Sequence, residues 1–265
     1  ANALKNKRRS GSAETEIDML IQIGMLHWQR LGDAEAGEEY FARLRKLAPA
    51  HRVQLDFYKE YYVQTDQAGK LMQLYRQALK SVGNTEPDRK QELMVELAQL
   101  SEGSMDNPEK AIDSWKSILR SDPSNMEASE SLRRLYERTG KWNALLDLIK
   151  DQVDKLPADD VEGRVQGLLE VVEIYRDRLN LDVMVINTYN SILTLEPSNL
   201  DVLDALAEKY RELGRWNDLI AVLSRKAHLE TLGLDVRAAL LSEVAALWID
   251  RFGNYAQAIK PLEEL

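Results

Sequence analysis

The sequence has no cysteine, and it is poor in glycine and proline. Its 265 residues include 13 Gly and 7 Pro, against about 19 Gly and about 13 Pro at average usage. The lack of cysteine excludes disulfides, thiol catalysis and zinc–thiolate sites, and it is compatible with a reducing compartment. Few turn-forming residues, together with 44% hydrophobic and 30% charged residues, predict long helices rather than many short strands.

The sequence also lacks a long apolar run and an excess of positive charge. No stretch approaches the roughly 20 apolar residues of a membrane helix, and no apolar segment follows the first basic residues as in a signal peptide. A cytoplasmic location is therefore expected. Residues 1–9 contribute +4 to the net charge of −9; this basic run fits a localisation or lipid patch, or a solvated helix end. The acidic remainder repels phosphate backbones, which disfavours nucleic-acid binding.

What the sequence does contain is a long internal repeat. Pro49, Pro123 and Pro197 are equally spaced along the chain, and their spacing defines a 74-residue period. The segments around Trp142 and Trp216 have the same separation. Three interleaved motifs at one spacing indicate an array of repeated units. The third motif marks turns, at Gly32-Asp33, Asp106-Asn107, Asn180-Leu181 and Gly253-Asn254.

Each 74-residue unit divides into two helical hairpins. Apolar residues before each proline recur at helical spacing, and the Ser-Asn that follows Pro123 and Pro197 offers Ser or Asn as the N-cap of the next helix. Gly140 and Gly214 suit the left-handed position at which a helix stops and the chain reverses. The tryptophan two residues after each glycine is expected to wedge between the two helices of its own hairpin.

These residues resemble the tetratricopeptide-repeat family. Tyr136, Gly140, Trp142 and Leu145 are similar to the family's tyrosine, glycine, aromatic and aliphatic positions, and the residues around Gly214 repeat them. The resemblance implies an all-α fold, a right-handed superhelical solenoid of about seven antiparallel hairpins with a 74-residue double-hairpin period. The sequence is also similar to segments of large bacterial arrays of this class.

The period also predicts boundaries. Residues 1–13 align with the tail of a preceding helix plus a linker, and residues 14–265 form the solenoid. Neither terminal repeat shows the polar capping helix that such arrays need, so we hypothesise that the chain is a piece of a longer solenoid. The predicted hairpins span approximately residues 14–50, 51–82, 88–123, 124–156, 161–197, 198–230 and 235–265.

No set of residues points to catalysis, to a metal or to a cofactor. His27, His51 and His228 lie far apart, and none has a histidine neighbour at metal-ligand spacing. Glycine-rich phosphate loops and nucleophile elbows are absent. The acidic pairs Asp159-Asp160 and Glu263-Glu264 fit a solvated surface better than an acid/base pair. We therefore expect a protein that is not an enzyme and holds no metal or cofactor.

In the family that the sequence resembles, the first helix of each hairpin lines the concave surface, and this register implies a set of partner-binding residues. The set has an acidic excess, which favours a partner of basic or mixed charge; plain solvation is the alternative for each residue. A carboxylate clamp is disfavoured because it needs Lys and Asn there. Tyr61 is an interface anchor if it is exposed, with buried packing as its alternative. The predicted partner-binding residues are Asp56, Glu60, Tyr61, Glu127, Glu130, Arg134, Arg138, Asp201, Asp204, Glu208 and Arg211.

The predicted function is that of a scaffold or adaptor that binds a protein or peptide partner in the concave groove, within a larger assembly. The resemblance associates such arrays with bacterial envelope, motility or polarity machinery. One alternative is a regulatory or targeting module of a multidomain protein whose catalytic part lies elsewhere. Another is a structural oligomer that self-associates through its uncapped ends. Neither nucleic-acid binding nor direct membrane insertion is expected.

Overall fold

The computed structural model describes residues 2–83, 86–103 and 108–264, with side chains from residue 13 onward. These residues are all-α and contain no strand. A π-helical turn continues the first helix over Leu26–Arg30 and the ninth over Ile174–Leu179. The helices are α1 (Asn2–Met25), α2 (Ala34–Leu47), α3 (Arg52–Gln64), α4 (Ala68–Val82), α5 (Pro87–Gly103), α6 (Pro108–Ser121), α7 (Met126–Thr139), α8 (Trp142–Lys155), α9 (Val161–Glu173), α10 (Asp182–Leu195), α11 (Leu200–Glu212), α12 (Trp216–Ala227), α13 (Leu234–Phe252) and α14 (Tyr255–Glu263).

Left-handed residues mark the turns between the helices of a hairpin. Gly140 and Gly214 have φ of 67° and 64°, which confirms the prediction made for them. Asp66 and Asn180 take the same conformation although they carry side chains, with φ of 53° and 52°; Asn and Asp are the residues that tolerate it best. The turns at Gly32 and Gly253 are built in the same way, and the turn predicted near residue 106 lies outside the described residues.

The left-handed turns also refine the period. Asp66, Gly140 and Gly214 follow one another at the predicted period, and Asn180 follows Gly32 after two periods. The last turn residue, Gly253, comes one position earlier than the period would place it after Asn180. This single deletion falls between the beginnings of α12 and α13. Equivalent positions of the last hairpin and the earlier hairpins are therefore those at the same number of residues from the left-handed turn residue.

Replacing Gly214 with alanine is expected to lower the free energy of unfolding by about 1 kcal/mol, because a Cβ is unfavourable at positive φ. The cost is conformational rather than steric, since the new Cβ would lie 3.9 Å from the nearest atoms, on the Trp216 ring. Gly69 is the matched control: it lies inside α4, its φ is not positive, and its Cβ would meet open space. Urea denaturation should therefore show Gly69→Ala to be neutral or slightly stabilising, and a similar loss in both variants would contradict this account.

Side-chain caps fix where several helices begin. The Asn199 side chain accepts a hydrogen bond from the Val202 N–H at 3.1 Å, and that of Asn125 accepts one from the Ala128 N–H at 2.9 Å. Both asparagines follow the predicted Pro-Ser turn, where Ser or Asn was expected as the cap, and the structure shows Asn. Each cap satisfies one N–H that has no partner within the helix. Asp33, Asp160 and Asn254 cap α2, α9 and α14 in the same way.

The first unit, Ala1–Thr139, contains α1 to α7, and each helix packs against the next one in the chain. Aromatic rings fill its core near α2 and α3. Phe41 and Phe57 are fully buried and stack with centroids 4.2 Å apart, and Trp28 meets both rings edge-on. Such aromatic pairs contribute beyond the area that they bury. This core therefore ties the turn after α1 to α2 and α3.

The second unit, Gly140–Leu265, contains α8 to α14, which also pack in chain order. Trp142 and Trp216 were predicted to wedge within their own hairpins, and the structure shows that both also contact the next hairpin. Both rings are half-buried and lie under a guanidinium of the following hairpin, Arg178 at 4.9 Å and Arg251 at 4.2 Å from the ring centroids. The reason is that each tryptophan is the first residue of its helix, at the turn, where its ring can stack with a cation.

The prediction for residues 1–13 is wrong in one respect. No linker separates a preceding helix tail from the solenoid, because α1 runs without interruption over Asn2–Met25. The segment Ser10-Gly11-Ser12 suggested a break. A single glycine inside a helix costs only about 1 kcal/mol relative to alanine and does not remove a backbone donor as proline does. The side chains of the basic run over residues 5–9 lie outside the described part of the chain.

Candidate protein-binding site

Two adjoining openings in the first unit form a groove over α3 and α5. Their volumes are about 380 Å³ and about 430 Å³. Glu92 and Glu96 line both openings, so the openings are continuous along the exposed face of α5. We call this feature the α3–α5 groove, and it is lined by Arg52, Leu55, Asp56, Asp88, Arg89, Gln91, Glu92, Val95, Glu96 and Gln99.

Two arginines hold Glu92 at the centre of the groove. The Arg89 Nη1 lies 2.7 Å from one Glu92 carboxylate oxygen, and the Arg52 Nη2 lies 2.5 Å from the other. Hydrogen bonds from Arg89 and then from Arg52 lower the pKa of the Glu92 carboxyl group. Arg89 also donates to the Ala50 carbonyl at 3.0 Å, which fixes α5 to the connection between α2 and α3. The charge of Glu92 is therefore compensated within the protein.

The other carboxylates of the groove are not compensated in this way. Asp56 and Asp88 are exposed at its edge. Glu96 accepts a hydrogen bond at 2.6 Å from the hydroxyl of Tyr75, a fully buried residue of α4. A neutral hydroxyl orients this carboxylate without cancelling its charge. With four carboxylates and two guanidinium groups among its described lining residues, the groove carries a net negative charge.

The predicted residues of α7 border the same face of α5. The Gln99 side chain donates to a Glu127 carboxylate oxygen at 2.6 Å. The Arg134 guanidinium lies 3.5 Å from Glu102 and donates to the Ser131 hydroxyl at 2.8 Å. The remaining predicted residues of α7 are exposed, Glu130 and Arg138. The first helices α3, α5 and α7 thus lie side by side in the first unit.

The predicted residues of α3 divide between the groove and the core. Asp56 lines the groove and Glu60 is exposed. Tyr61 is not an exposed anchor: it is half-buried, and its ring stacks on that of Phe57 with centroids 5.3 Å apart. The aromatic core next to it draws the ring inward because burial removes apolar surface from water. Tyr61 therefore packs against the core, as the alternative prediction for this residue stated.

The four predicted residues of α11 belong to the second unit and form an exposed stripe of their own. Asp204 pairs with Lys226 of α12. Arg211 pairs with Glu243 of α13 at 2.7 Å. Asp201 and Glu208 are exposed on the same helix. The predicted set is therefore distributed over both units. Of its members, Asp56 lines the α3–α5 groove and Glu127 bonds to the lining residue Gln99.

No family model matches the chain, and no curated protein matches it. Solved structures do. The structure of Naa15/Naa10 bound to HypK-THB matches 98% of this chain with 14% identity and a TM-score of 0.51, and this chain spans 41% of that one. The helical hairpins, their left-handed turns and this match all indicate the same fold. The chain has the tetratricopeptide-repeat fold. Two other matches have lower TM-scores. A tetratricopeptide repeat protein from Parabacteroides merdae has a TM-score of 0.40 and 15% identity, and the match covers 94% of this chain and 92% of that one. The TPR domain of P58(IPK) has a TM-score of 0.38 and 12% identity, and the match covers 95% of this chain and 71% of that one.

Sequence reasoning missed the contribution of α5 to the groove. The 74-residue period relates only α3, α7 and α11 to one another, so it placed no predicted residue on α5. A local signal was present, because Asp88, Glu92, Glu96 and Gln99 recur at the three- and four-residue spacing of one helical face. The tetratricopeptide hairpin formed by α5 and α6 therefore contributes most of the described lining of the groove.

The described residues contain neither a metal-ligand cluster nor a helix that could span a bilayer. Among them, no group of three or more His, Asp or Glu side chains could hold a metal ion. Within the same residues, no helix is both long and apolar enough to span a bilayer. His27 stacks on Tyr40 at 5.5 Å. Burial, and then the charge of Arg89, lowers the pKa of His51.

Proposed function

We propose that this chain is a non-catalytic scaffold or adaptor, which binds a protein or peptide of basic or mixed charge on the face formed by α3, α5 and α7. The observation that carries the proposal is the α3–α5 groove, which is open, elongated and bordered by uncompensated carboxylates. Binding within a larger assembly, such as bacterial envelope, motility or polarity machinery, is part of the same proposal.

The internal ion pairs support a rigid binding surface. Arg52 of α3 reaches Glu92 of α5, and Glu102 of α5 meets Arg134 of α7. These contacts join three successive first helices at the face that a partner would meet. A surface that is already ordered loses less conformational entropy when a partner binds. Surface ion pairs contribute little to stability, so their value here lies in positioning.

The charge of the groove supports a cationic partner segment. Glu92 forms ion pairs with both arginines of the groove, Arg52 and Arg89. In the described contacts neither arginine pairs with the other three carboxylates, those of Asp56, Asp88 and Glu96. Complementary charge raises the association rate and selects partners. The net charge of −9 for the whole chain also supports a protein partner over a nucleic acid. A regulatory module of a multidomain protein would use the same groove.

Fluorescence anisotropy with two labelled peptides of equal length, one lysine-rich and one glutamate-rich, tests this proposal. We expect only the lysine-rich peptide to bind, with an affinity that falls as salt screens the charges. The double variant Asp56→Asn, Asp88→Asn is expected to weaken this binding about tenfold. Both side chains are exposed, so the fold should not change.

The matched control removes two charges elsewhere, in the double variant Asp147→Asn, Asp154→Asn of the second helix α8, where both side chains are exposed. It should bind the lysine-rich peptide like the unmodified chain. Equal binding of the two peptides would argue against the proposed charge selection. Equal losses in the two double variants would show a response to net charge rather than a site at the α3–α5 groove.

A further inference from the structure

Three apolar side chains are exposed where the chain reverses in two successive hairpins of the second unit, the hairpin of α9 and α10 and that of α11 and α12. Leu181, Val183 and Leu213 are 44%, 64% and 42% exposed. The helices on both sides of these hairpins are in place, because α8 packs against α9 and α13 packs against α12. The exposure of the three side chains is therefore a property of complete, flanked repeats.

Leu181 occupies a position where other hairpins of the same kind have a helix-capping residue. It directly precedes α10, as Asp33 precedes α2 and Asn254 precedes α14. The side chains of Asp33 and Asn254 accept a hydrogen bond from a backbone N–H of the first turn, whereas Leu181 provides no such bond. Apolar residues are among the poorest N-caps. Leu181 therefore leaves α10 without a side-chain cap, although its own side chain is not buried in exchange.

Val183 and Leu213 also replace polar residues of the other hairpins. Val183 is the second residue of α10, and Glu35 is the second residue of α2. Leu213 directly precedes a left-handed turn residue, as Thr65 and Thr139 do. The hydroxyls of both threonines donate to backbone carbonyls of their own helices, which a leucine cannot do. Departures from a local rule without a gain in the fold are typical of functional sites.

An ion pair brings the three side chains to one surface. Asp182, which lies between Leu181 and Val183 in the chain, is 3.2 Å from the Nζ of Lys209 in α11. Leu213 follows Lys209 by four residues, and its N–H donates to the Lys209 carbonyl, so both lie on the same side of α11. We call the surface formed by Leu181, Val183 and Leu213 the α10–α11 apolar edge. A continuous apolar patch with a polar surround marks an interaction site more often than scattered apolar residues do.

A cation next to this edge has no acidic partner among the described contacts. The Arg178 guanidinium lies 4.9 Å from the centroid of the Trp142 ring, and its side chain is exposed. The adjacent Asp177 pairs with Arg176 at 2.8 Å instead. A guanidinium that lies over a ring keeps N–H donors at its edge, and these donors suit a carboxylate. Arg178 precedes Leu181 by only three residues, so a carboxylate would bind close to apolar surface.

We propose that the α10–α11 apolar edge is a second docking surface, which binds a segment of a partner protein that has carboxylates next to apolar side chains. Burial of Leu181, Val183 and Leu213 against the apolar side chains supplies affinity. Arg178 pairs with a carboxylate of the segment and selects its charge. This surface belongs to the second unit and does not depend on the α3–α5 groove, which selects the opposite charge in the first unit.

Fluorescence anisotropy with three labelled peptides of equal length tests the proposal. One alternates leucine with glutamate, the second alternates serine with glutamate, and the third alternates leucine with glutamine. The leucine–glutamate peptide is expected to bind. The other two are expected to bind at least about tenfold more weakly, because the second lacks the apolar side chains and the third lacks the carboxylates.

Two variants assign this binding to the edge. The edge variant is Leu181→Asn, Val183→Glu, Leu213→Thr, which introduces the residue types that the other hairpins have at these positions. It is expected to bind the leucine–glutamate peptide at least about tenfold more weakly, although its urea denaturation midpoint should be equal or higher because asparagine can cap α10. Lost binding is thereby separated from lost folding. Arg178→Gln should abolish the preference for the leucine–glutamate over the leucine–glutamine peptide.

The control Val63→Thr, Met126→Gln replaces two exposed apolar residues of the first unit and should bind the leucine–glutamate peptide like the unmodified chain. Failure of this peptide to bind, or undiminished binding to the edge variant, would overturn the proposal. A charge preference that survives in Arg178→Gln would do the same. The lysine-rich peptide should bind the edge variant as it binds the unmodified chain, so failure at one surface is distinguishable from failure at the other.

Discussion

Replacing Trp115 with alanine is expected to lower the free energy of unfolding of the first unit by about 3–5 kcal/mol. Trp115 is fully buried and is the largest such side chain in the described residues. It belongs to α6, which packs between α5 and α7. Removing the indole leaves a cavity that neighbouring side chains can only partly fill, so the loss includes a cavity cost besides the lost burial.

The indole N–H adds a polar contribution to the same site. It donates to Glu102 at 3.1 Å, and Glu102 also faces Arg134 across the α5–α7 contact. Trp115→Phe keeps most of the volume and loses the donor together with part of the ring, so it should recover much, but not all, of the stability. The hydrogen bond itself is worth about 1.5–3 kcal/mol because its acceptor is charged.

Urea denaturation followed by far-ultraviolet circular dichroism measures these losses without relying on tryptophan fluorescence. The matched control is Trp142→Ala, which removes an equally large ring that is only half-buried and lies under Arg178. Its loss should be clearly smaller, because less apolar surface returns to water. Losses of equal size for the two variants would contradict the account of Trp115 as a core residue.

Much of the hairpin arrangement could be predicted because the turns demand particular residues. Gly140 and Gly214 occupy a conformation that most side chains disfavour, and the repeat length follows directly from their separation. The turn at Asn180 followed from the period alone, since a non-glycine residue in this conformation has no unique sequence signal. The helix α1 continues through Gly11, because the cost of one glycine is smaller than the summed helix preference of its neighbours. The segment Ser10-Gly11-Ser12 alone does not show which of the two is larger.

The candidate site was less predictable than the fold. Asp56 and Glu127 were placed on the correct helices by register alone, and both border α5. Tyr61 could not be assigned from spacing, because its exposure depends on Phe57 in the folded core. The role of Arg89, which joins Glu92 to the Ala50 carbonyl, depends on residues about 40 positions apart in the chain. Periodicity carries no information about such contacts.

Alkaline pH is expected to destabilise the protein through two buried tyrosines. Tyr58 and Tyr75 are fully buried, and their hydroxyls donate to Glu38 at 2.9 Å and to Glu96 at 2.6 Å. Burial first, and then the hydrogen bond to a carboxylate, raises the pKa of each tyrosine far above its ordinary value near 10. The folded state therefore keeps both protons at a pH where the unfolded chain loses them.

The direction of the effect follows from proton linkage. Below about pH 10 the folded and unfolded states both hold the two protons, so the stabilisation is fully present. Above about pH 10 only the unfolded state releases them, and stability falls as pH rises, by up to about 1.4 kcal/mol per pH unit for each tyrosine. The loss continues until the folded-state pKa is reached.

Urea denaturation at about pH 9 and about pH 11 measures this loss, and the double variant Tyr58→Phe, Tyr75→Phe isolates its source. The variant should be less stable at the lower pH by roughly 1 kcal/mol for each lost hydrogen bond. It should nevertheless lose less stability than the unmodified chain between the two pH values, because phenylalanine has no proton to release. Tyr255→Phe is the matched control, since that ring is 70% exposed, and it should leave the pH dependence unchanged. If the double variant lost as much stability with pH as the unmodified chain, the alkaline transition would have to arise from groups other than these two tyrosines.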